Sequence, residues 1–238
     1  MRRQAALRAP RHDATTARSM TPSDYARARR LLMRRDAALG AVIARHGRCG
    51  LADGQRDHGL QAMIESIVWQ QLSGKAAATI YARFLALFPA GRYPTPEEIL
   101  AVPVTALRQV GLSSQKSAYV RDVCERVSGG RLDLDRLESM GDDEVIATLT
   151  EVKGIGRWTA EMFLMFRLHR PDVLPVGDLG IVKAIQRLYG LRKPPSVDKM
   201  HAIGRRWQPY RSVAAWYLWA SLEMEPPGMK KKGEARRG

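Results

Sequence analysis

Apolar residues recur along this chain at spacings of three and four, the period of a helix with one buried face, and no stretch alternates over the length of a strand. The pattern predicts helices over 24–46, 58–72, 75–88, 96–102, 105–110, 114–128, 142–150, 156–168, 179–189, 197–206 and 210–223. Between them stand Pro89-Ala90-Gly91, Tyr93-Pro94-Thr95-Pro96, Gly129-Gly130, Pro171-Asp172, Gly190, Pro194-Pro195 and Pro226-Pro227-Gly228, residue types that stop helices or open turns. Pro96 near a helix start, with Glu97 and Glu98 in the first turn, suits the positive end of a helix and needs no functional explanation. The expected fold class is all-α.

The chain has 238 residues, enough for one large domain or two small ones with a real core. Net charge is +15, but its distribution changes the picture more than its size. Residues 1–35 hold ten Arg against two Asp, and residues 230–238 hold five Lys or Arg against one Glu, leaving 24 basic and 21 acidic residues between. A basic, flexible arm over 1–22 and a basic tail over 229–238 are therefore expected around a domain over 23–228. Such ends add salt-sensitive, sequence-blind attraction to nucleic acid. The Arg-rich start is also similar to a transit peptide, and it lacks the apolar core of a secretory signal. No run of about 18 apolar residues exists, so no membrane span is expected. Cys49 and Cys124 are too few for a disulfide framework, a four-thiolate iron–sulfur cluster or a cysteine zinc site, and the five His show no ligand spacing. No metal site is expected, and a reducing compartment fits.

Chemistry concentrates in Thr150-Glu151-Val152-Lys153-Gly154-Ile155-Gly156-Arg157-Trp158-Thr159-Ala160 and in Leu174-Pro175-Val176-Gly177-Asp178-Leu179-Gly180. Two glycines around Ile155 let the backbone turn sharply. The N–H groups and positive end of the helix that follows favour an anion, with phosphate the natural occupant. A tight helix–helix turn with no ligand is the other reading. Asp178 can cap the helix over 179–189. It can also stabilise a sugar with oxocarbenium character and orient or deprotonate the attacking water. Both roles can hold together, since a cap fixes the carboxylate.

Taken together, the hairpin, the Gly/Pro-rich loop and Asp178 resemble the helix-hairpin-helix-GPD superfamily of base-excision-repair DNA glycosylases. Gly154-Ile155-Gly156-Arg157-Trp158-Thr159-Ala160 is similar to the 3-methyladenine DNA glycosylase II family within it, and the resemblance covers about 41–223. It implies two helical lobes with the active cleft between them. One lobe would run from about Gln55 to Ser128 and on to the hairpin; the other would combine the N-terminal helix with the helices after Asp178. The resemblance makes Asp178 the catalytic residue and Gly154, Ile155, Gly156, Arg157, Trp158 and Thr159 the phosphate-binding hairpin, whose carbonyls hold a monovalent cation in the family. Leu72 matches the wedge that fills the stack when a base is extruded, against a buried Leu at a helix end; Gln71 would touch the orphaned base, with Ser73 and Lys75 as phosphate contacts.

Trp158 stands where strand-cutting relatives carry a lysine that forms a Schiff base, and Lys153, across the turn, does not match that lysine. Hydrolysis by water is therefore expected. The resemblance places Trp158 and Trp219 in the base pocket, where an indole face attracts a cationic base by ~0.5–2 kcal/mol. Met162 lies where relatives have a Tyr. A core aromatic is the plainer reading for Trp158, and an aromatic cluster for Trp219; Trp216 and Tyr217 are expected in the core. The run Leu107 to Ala118 repeats the helix–Gly–helix form with Ser113 or Ser114 as cap and reads as a structural hairpin, an approach of Lys116 to DNA being the other reading.

The expected activity is a monofunctional DNA glycosylase that flips alkylated purines, 3-methyladenine and 7-methylguanine, from double-stranded DNA and hydrolyses the N-glycosidic bond. No cofactor is expected. One copy suffices, in the bacterial cytoplasm at the nucleoid or in a eukaryotic nucleus. The alternatives are a non-enzymatic helix-hairpin-helix DNA-binding protein and a glycosylase for oxidised or deaminated bases.

Overall fold

The computed structural model of the chain describes residues 18–53, 59–72 and 74–223. Ser73, most of the expected arm over 1–22 and the whole tail over 229–238 lie outside the described residues. Among the described residues the secondary structure is helical throughout, with no strand. The helices are α1 (Pro22–Arg35), α2 (Ala37–His46), α3 (Gly59–Trp69), α4 (Gly74–Leu85), α5 (Pro96–Ala101), α6 (Val104–Gln109), α7 (Ser114–Ser128), α8 (Asp142–Thr150), α9 (Arg157–Met162), α10 (Leu179–Leu188), α11 (Val197–Gly204) and α12 (Arg211–Glu223). They fall into two compact units, Asp57–Leu164 in one and Met20–Arg56 with Met165–Gly238 in the other, so the chain starts a unit, leaves it and returns.

In the first unit α7 is the central element, packed against α3, α5 and α6. Ile64, Ile67 and Val68 of α3, Ile99 of α5, Leu107 of α6 and Val120 and Val123 of α7 are buried there. Local signals start these helices. Thr95 caps α5 in a capping box with Glu98, whose carboxyl the Arg92 guanidinium holds down at about 2. Ser113 caps α7 by accepting from the Lys116 amide at 3.1 Å. Gly111 before it has φ +109°, and a Cβ there would come within 2.9 Å of Ile80.

In the second unit α12 packs against α1, α2 and α10, with Val213, Ala214, Tyr217 and Leu218 buried. Tyr217 donates to the Gly47 carbonyl at 2.7 Å, and Trp216 packs edge-on to His46. The single helix expected over 24–46 is two, broken at Asp36. This residue is extended at φ −145° and caps α2 by accepting from the Leu39 amide at 3.1 Å. Its carboxylate, 3% exposed, also accepts from Tyr189 Oη at 2.6 Å and Trp207 Nε1 at 2.9 Å. Periodicity runs through the break because both helices bury the same kind of face; the partners that stabilise the break lie far away in sequence.

The expected helix over 156–168 also changes form. α9 ends at Met162, and Phe163–Arg167 follow as a π turn, a wider helical form common near functional sites.

Candidate active site

The hairpin between α8 and α9 is held by contacts on its backbone. Gly154 has φ +83°, and a Cβ on it would lie 2.1 Å from the ring of Tyr119, so only glycine fits against that side chain. The Tyr119 hydroxyl accepts from Gln115 Nε2 at 2.6 Å. The Gly154 carbonyl accepts from Gln70 Nε2 at 2.9 Å. One residue earlier, the Lys153 amide donates to Asp122 Oδ2 at 3.0 Å. Burial alone would raise the Asp122 carboxyl, but hydrogen bonds from that amide and from Arg126 outweigh it and hold the group below the usual range.

Gly156 is different. It sits before α9 in an extended conformation, φ −89° and ψ 172°, and a Cβ there would meet nothing within 4 Å. The expectation that both glycines make the turn sharp is therefore corrected: Gly154 makes it, and Gly156 leaves the backbone at the mouth of α9 bare. Ile155 and Thr159 are buried, so their side chains pack inward and only their backbone can face a ligand. Arg157 Nε pairs with Glu161 Oε1 at 3.1 Å along α9. Trp158 is 47% exposed and so is not a core aromatic, and half-buried Met162 follows one turn later.

At the α3–α4 corner Gln71 has φ +57°, a left-handed conformation uncommon for a residue with a side chain. Leu72 beside it is exposed at 39%, which rules out a buried helix-end Leu. Lys116 corrects the sequence reading. Its ammonium donates to the carbonyls of Val68 and Gln70, both at 2.7 Å, and burial lowers its pKa. It closes the C-terminal end of α3 rather than reaching for DNA. Gln70 is thus gripped at its carbonyl by Lys116 while its amide side chain holds Gly154, so one residue ties the Leu72 corner to the hairpin. Sequence gave no signal for this.

In the second unit Asp178 is half-buried and caps α10. Its Oδ1 accepts from the Ile181 amide at 2.8 Å and from the Trp219 indole Nε1 at 2.9 Å. Trp219 in turn lies nearly parallel to Phe166 of the π turn, with ring centroids 6.1 Å apart and planes at 24°. The structure therefore brings together Asp178 and Trp219, expected from sequence, with Phe166, which was not. Phe166 is 45% exposed. Downstream of the π turn, the Gly/Pro-rich loop is anchored by Arg211, which donates to both oxygens of Asp172 at 2.8 and 2.9 Å, and by Ser212, which accepts from the Val173 amide. Among the described residues no cluster of three or more His, Cys, Asp or Glu is placed to hold a metal, and Cys49 and Cys124 are buried thiols.

The chain is similar to known proteins in sequence and in fold. The family described as HhH-GPD superfamily base excision DNA repair protein matches residues 64–209. A Bacillus subtilis protein, provisionally named a DNA-3-methyladenine glycosylase, is 36% identical over 166 residues, 68% of this chain and 58% of its own length. The crystal structure of a DNA-3-methyladenine glycosidase from Bacillus halodurans superposes with a TM-score of 0.73 at 41% identity, covering 82% of this chain and 88% of that one. The Schizosaccharomyces pombe 3-methyladenine DNA glycosylase, solved in complex with abasic DNA, gives 0.72 at 33% identity, covering 83% and 97%.

Proposed function

The chain belongs to the HhH-GPD superfamily of base-excision DNA repair proteins, and from that premise we propose that it is a monofunctional DNA glycosylase that removes alkylated purines, such as 3-methyladenine and 7-methylguanine, from double-stranded DNA. The observation that carries the reading is Asp178, a half-buried carboxylate fixed by two N–H donors on one oxygen. A carboxylate so held meets the needs of N-glycosidic hydrolysis: it stabilises positive charge developing on the sugar and takes a proton from the attacking water. An alkylated purine is already cationic, so its departure needs no general acid.

Each unit brings its own part. In the first, the bare backbone at Gly156 and the opening amides of α9 grip a DNA phosphate. Leu72 enters the stack, with Gln71 against the orphaned base, and Trp158 and Met162 present apolar surface to the extruded one. With Trp at position 158 instead of lysine, no amine stands there to form a Schiff base, so water is the nucleophile and the product is an abasic site. In the second unit, Asp178 acts with Trp219 beside it. The hairpin carbonyl of Val152 accepts one turn N–H, from Ile155, and keeps a second lone pair, which fits a backbone-oxygen contact to a monovalent cation. No redox cofactor is required, and the enzyme acts as a single copy.

The test is to incubate methylated duplex DNA with the wild-type chain and with Asp178→Asn and to measure free bases released. Release of 3-methyladenine and 7-methylguanine by wild type alone is expected. No release by wild type refutes the activity; equal release by the variant refutes the role of Asp178.

A further inference from the structure

Gly180 occupies the second position of α10, where a glycine costs about 0.5–1 kcal/mol relative to alanine and an ordinary helix former would serve better. Its φ is not in the left-handed region, so the backbone does not require it. Its surroundings do. A Cβ on Gly180 would stand 2.9 Å from Asp178 Oδ1, 3.0 Å from Trp219 Cδ1 and 3.2 Å from Trp219 Nε1. These are the two partners of the Trp219–Asp178 hydrogen bond and the ring edge that delivers it. A methyl at this point would push into the contact from the side, and one partner would have to move.

The indole has two separable functions. Its face can attract a cationic base, as any aromatic face can. Its N–H, which only tryptophan supplies among Phe, Tyr and Trp at that ring position, is donated to the carboxylate. Phe166 lies almost parallel to the ring. A hydrogen bond to an ionised acceptor is shorter and stronger than a neutral one, and here it joins the Ile181 amide on the same oxygen, so the carboxylate has little freedom to rotate.

We propose that Trp219 is a positioning residue for Asp178, acting through its indole N–H, and that Gly180 is held without a side chain so that the two can meet. This rests on Asp178 being the catalytic carboxylate. The base-facing role of the ring is secondary to it.

Two variants of the full chain test this. Trp219→Phe keeps an aromatic face and removes the donor; Gly180→Ala keeps both residues and crowds their contact. With methylated duplex DNA in single-turnover reactions at saturating enzyme, both should lose about tenfold to a hundredfold in rate, the worth of a hydrogen bond to a charged group. Affinity for an abasic-site duplex should stay within about threefold, well under 1 kcal/mol, because the contact serves the reaction and not binding. A role confined to the ring face gives the opposite split: Trp219→Phe retains the wild-type rate, and that result overturns the proposal. A second readout needs no activity. In ¹⁵N-labelled protein the Trp219 indole N–H resonance should shift in Gly180→Ala, with the remaining indole resonances and cooperative melting preserved. An unmoved resonance overturns the proposal too. If wild type releases no base, the activity fails while the resonance still decides whether the contact exists.

Discussion

The hairpin of the first unit and the acid loop of the second are both built around a glycine, yet the two glycines work in opposite directions. Gly154 lets a stretch of backbone lie flat against Tyr119, and what it shapes is main chain. Gly180 lets two side chains, distant in sequence, approach each other, and what it shapes is the orientation of one carboxylate. A backbone contact of the first kind suits a ligand that repeats along a polymer, such as phosphate, because main-chain amides carry no preference among side groups. A side-chain contact of the second kind suits a single reacting bond. If the two sites have the proposed roles, recognition and chemistry are held by different means within one chain and should fail separately.

Asp178→Asn should separate them most widely, losing roughly 10²–10⁴-fold in base release while affinity for an abasic duplex is retained. Leu72→Ala comes next. Release from fully paired duplex should fall about tenfold or more, whereas release from a target in a bulge should change little, since a base already out of the stack needs no wedge; equal losses on both substrates would remove Leu72 from that role. Gly154→Ala forces a left-handed φ and a clash with Tyr119 on a residue with a side chain, an expected cost of about 1–3 kcal/mol. It should appear as a melting point lower by several degrees and as weaker DNA binding with an unchanged rate at saturation, the reverse of the Gly180→Ala pattern.

Smaller effects test the supports. Gln70→Ala removes the tie to the Gly154 carbonyl and should cost about 1 kcal/mol in denaturant unfolding. Asp122→Asn should destabilise least, with a pH signature. Because the folded carboxyl lies below its ordinary value of 3.8, its stabilisation is present above that value and disappears as pH falls through the folded pKa. The gap between wild type and variant should therefore be largest near neutrality and close in strong acid.

Much of this was legible in the sequence. α7 and α8 run over the residues that periodicity and caps predict, and the glycine hairpin and Asp178 stand where their motifs place them. The misreadings share a cause. Asp36 splits a periodic stretch because Tyr189 and Trp207 supply donors from 153 and 171 residues away. Lys116 reads as a free cation until the carbonyls at the end of α3, 46 and 48 residues earlier, are seen to hold it. The Phe166–Trp219 pair depends on a π turn for which helical spacing carries no signal. Gly180 is the exception that a closer reading would have caught, since a glycine inside a helix start costs stability and invites the question of what it makes room for.

The placement of Asp36 has a consequence for how the molecule is made. Its carboxylate sits at the junction of α1 and α2, while the groups that neutralise its burial, Tyr189, Trp207 and Arg206 at 3.7 Å, are made 153 to 171 residues later. Between the two lies the stretch Asp57–Leu164 of the other unit. On a ribosome adding about 5–20 residues per second, α1 and α2 have each other to pack against but wait roughly ten seconds or more for α12 and for the donors to Asp36. A translation product that stops before α12 would leave the α12-facing surface of α1 and α2 uncovered for the quality-control machinery to find.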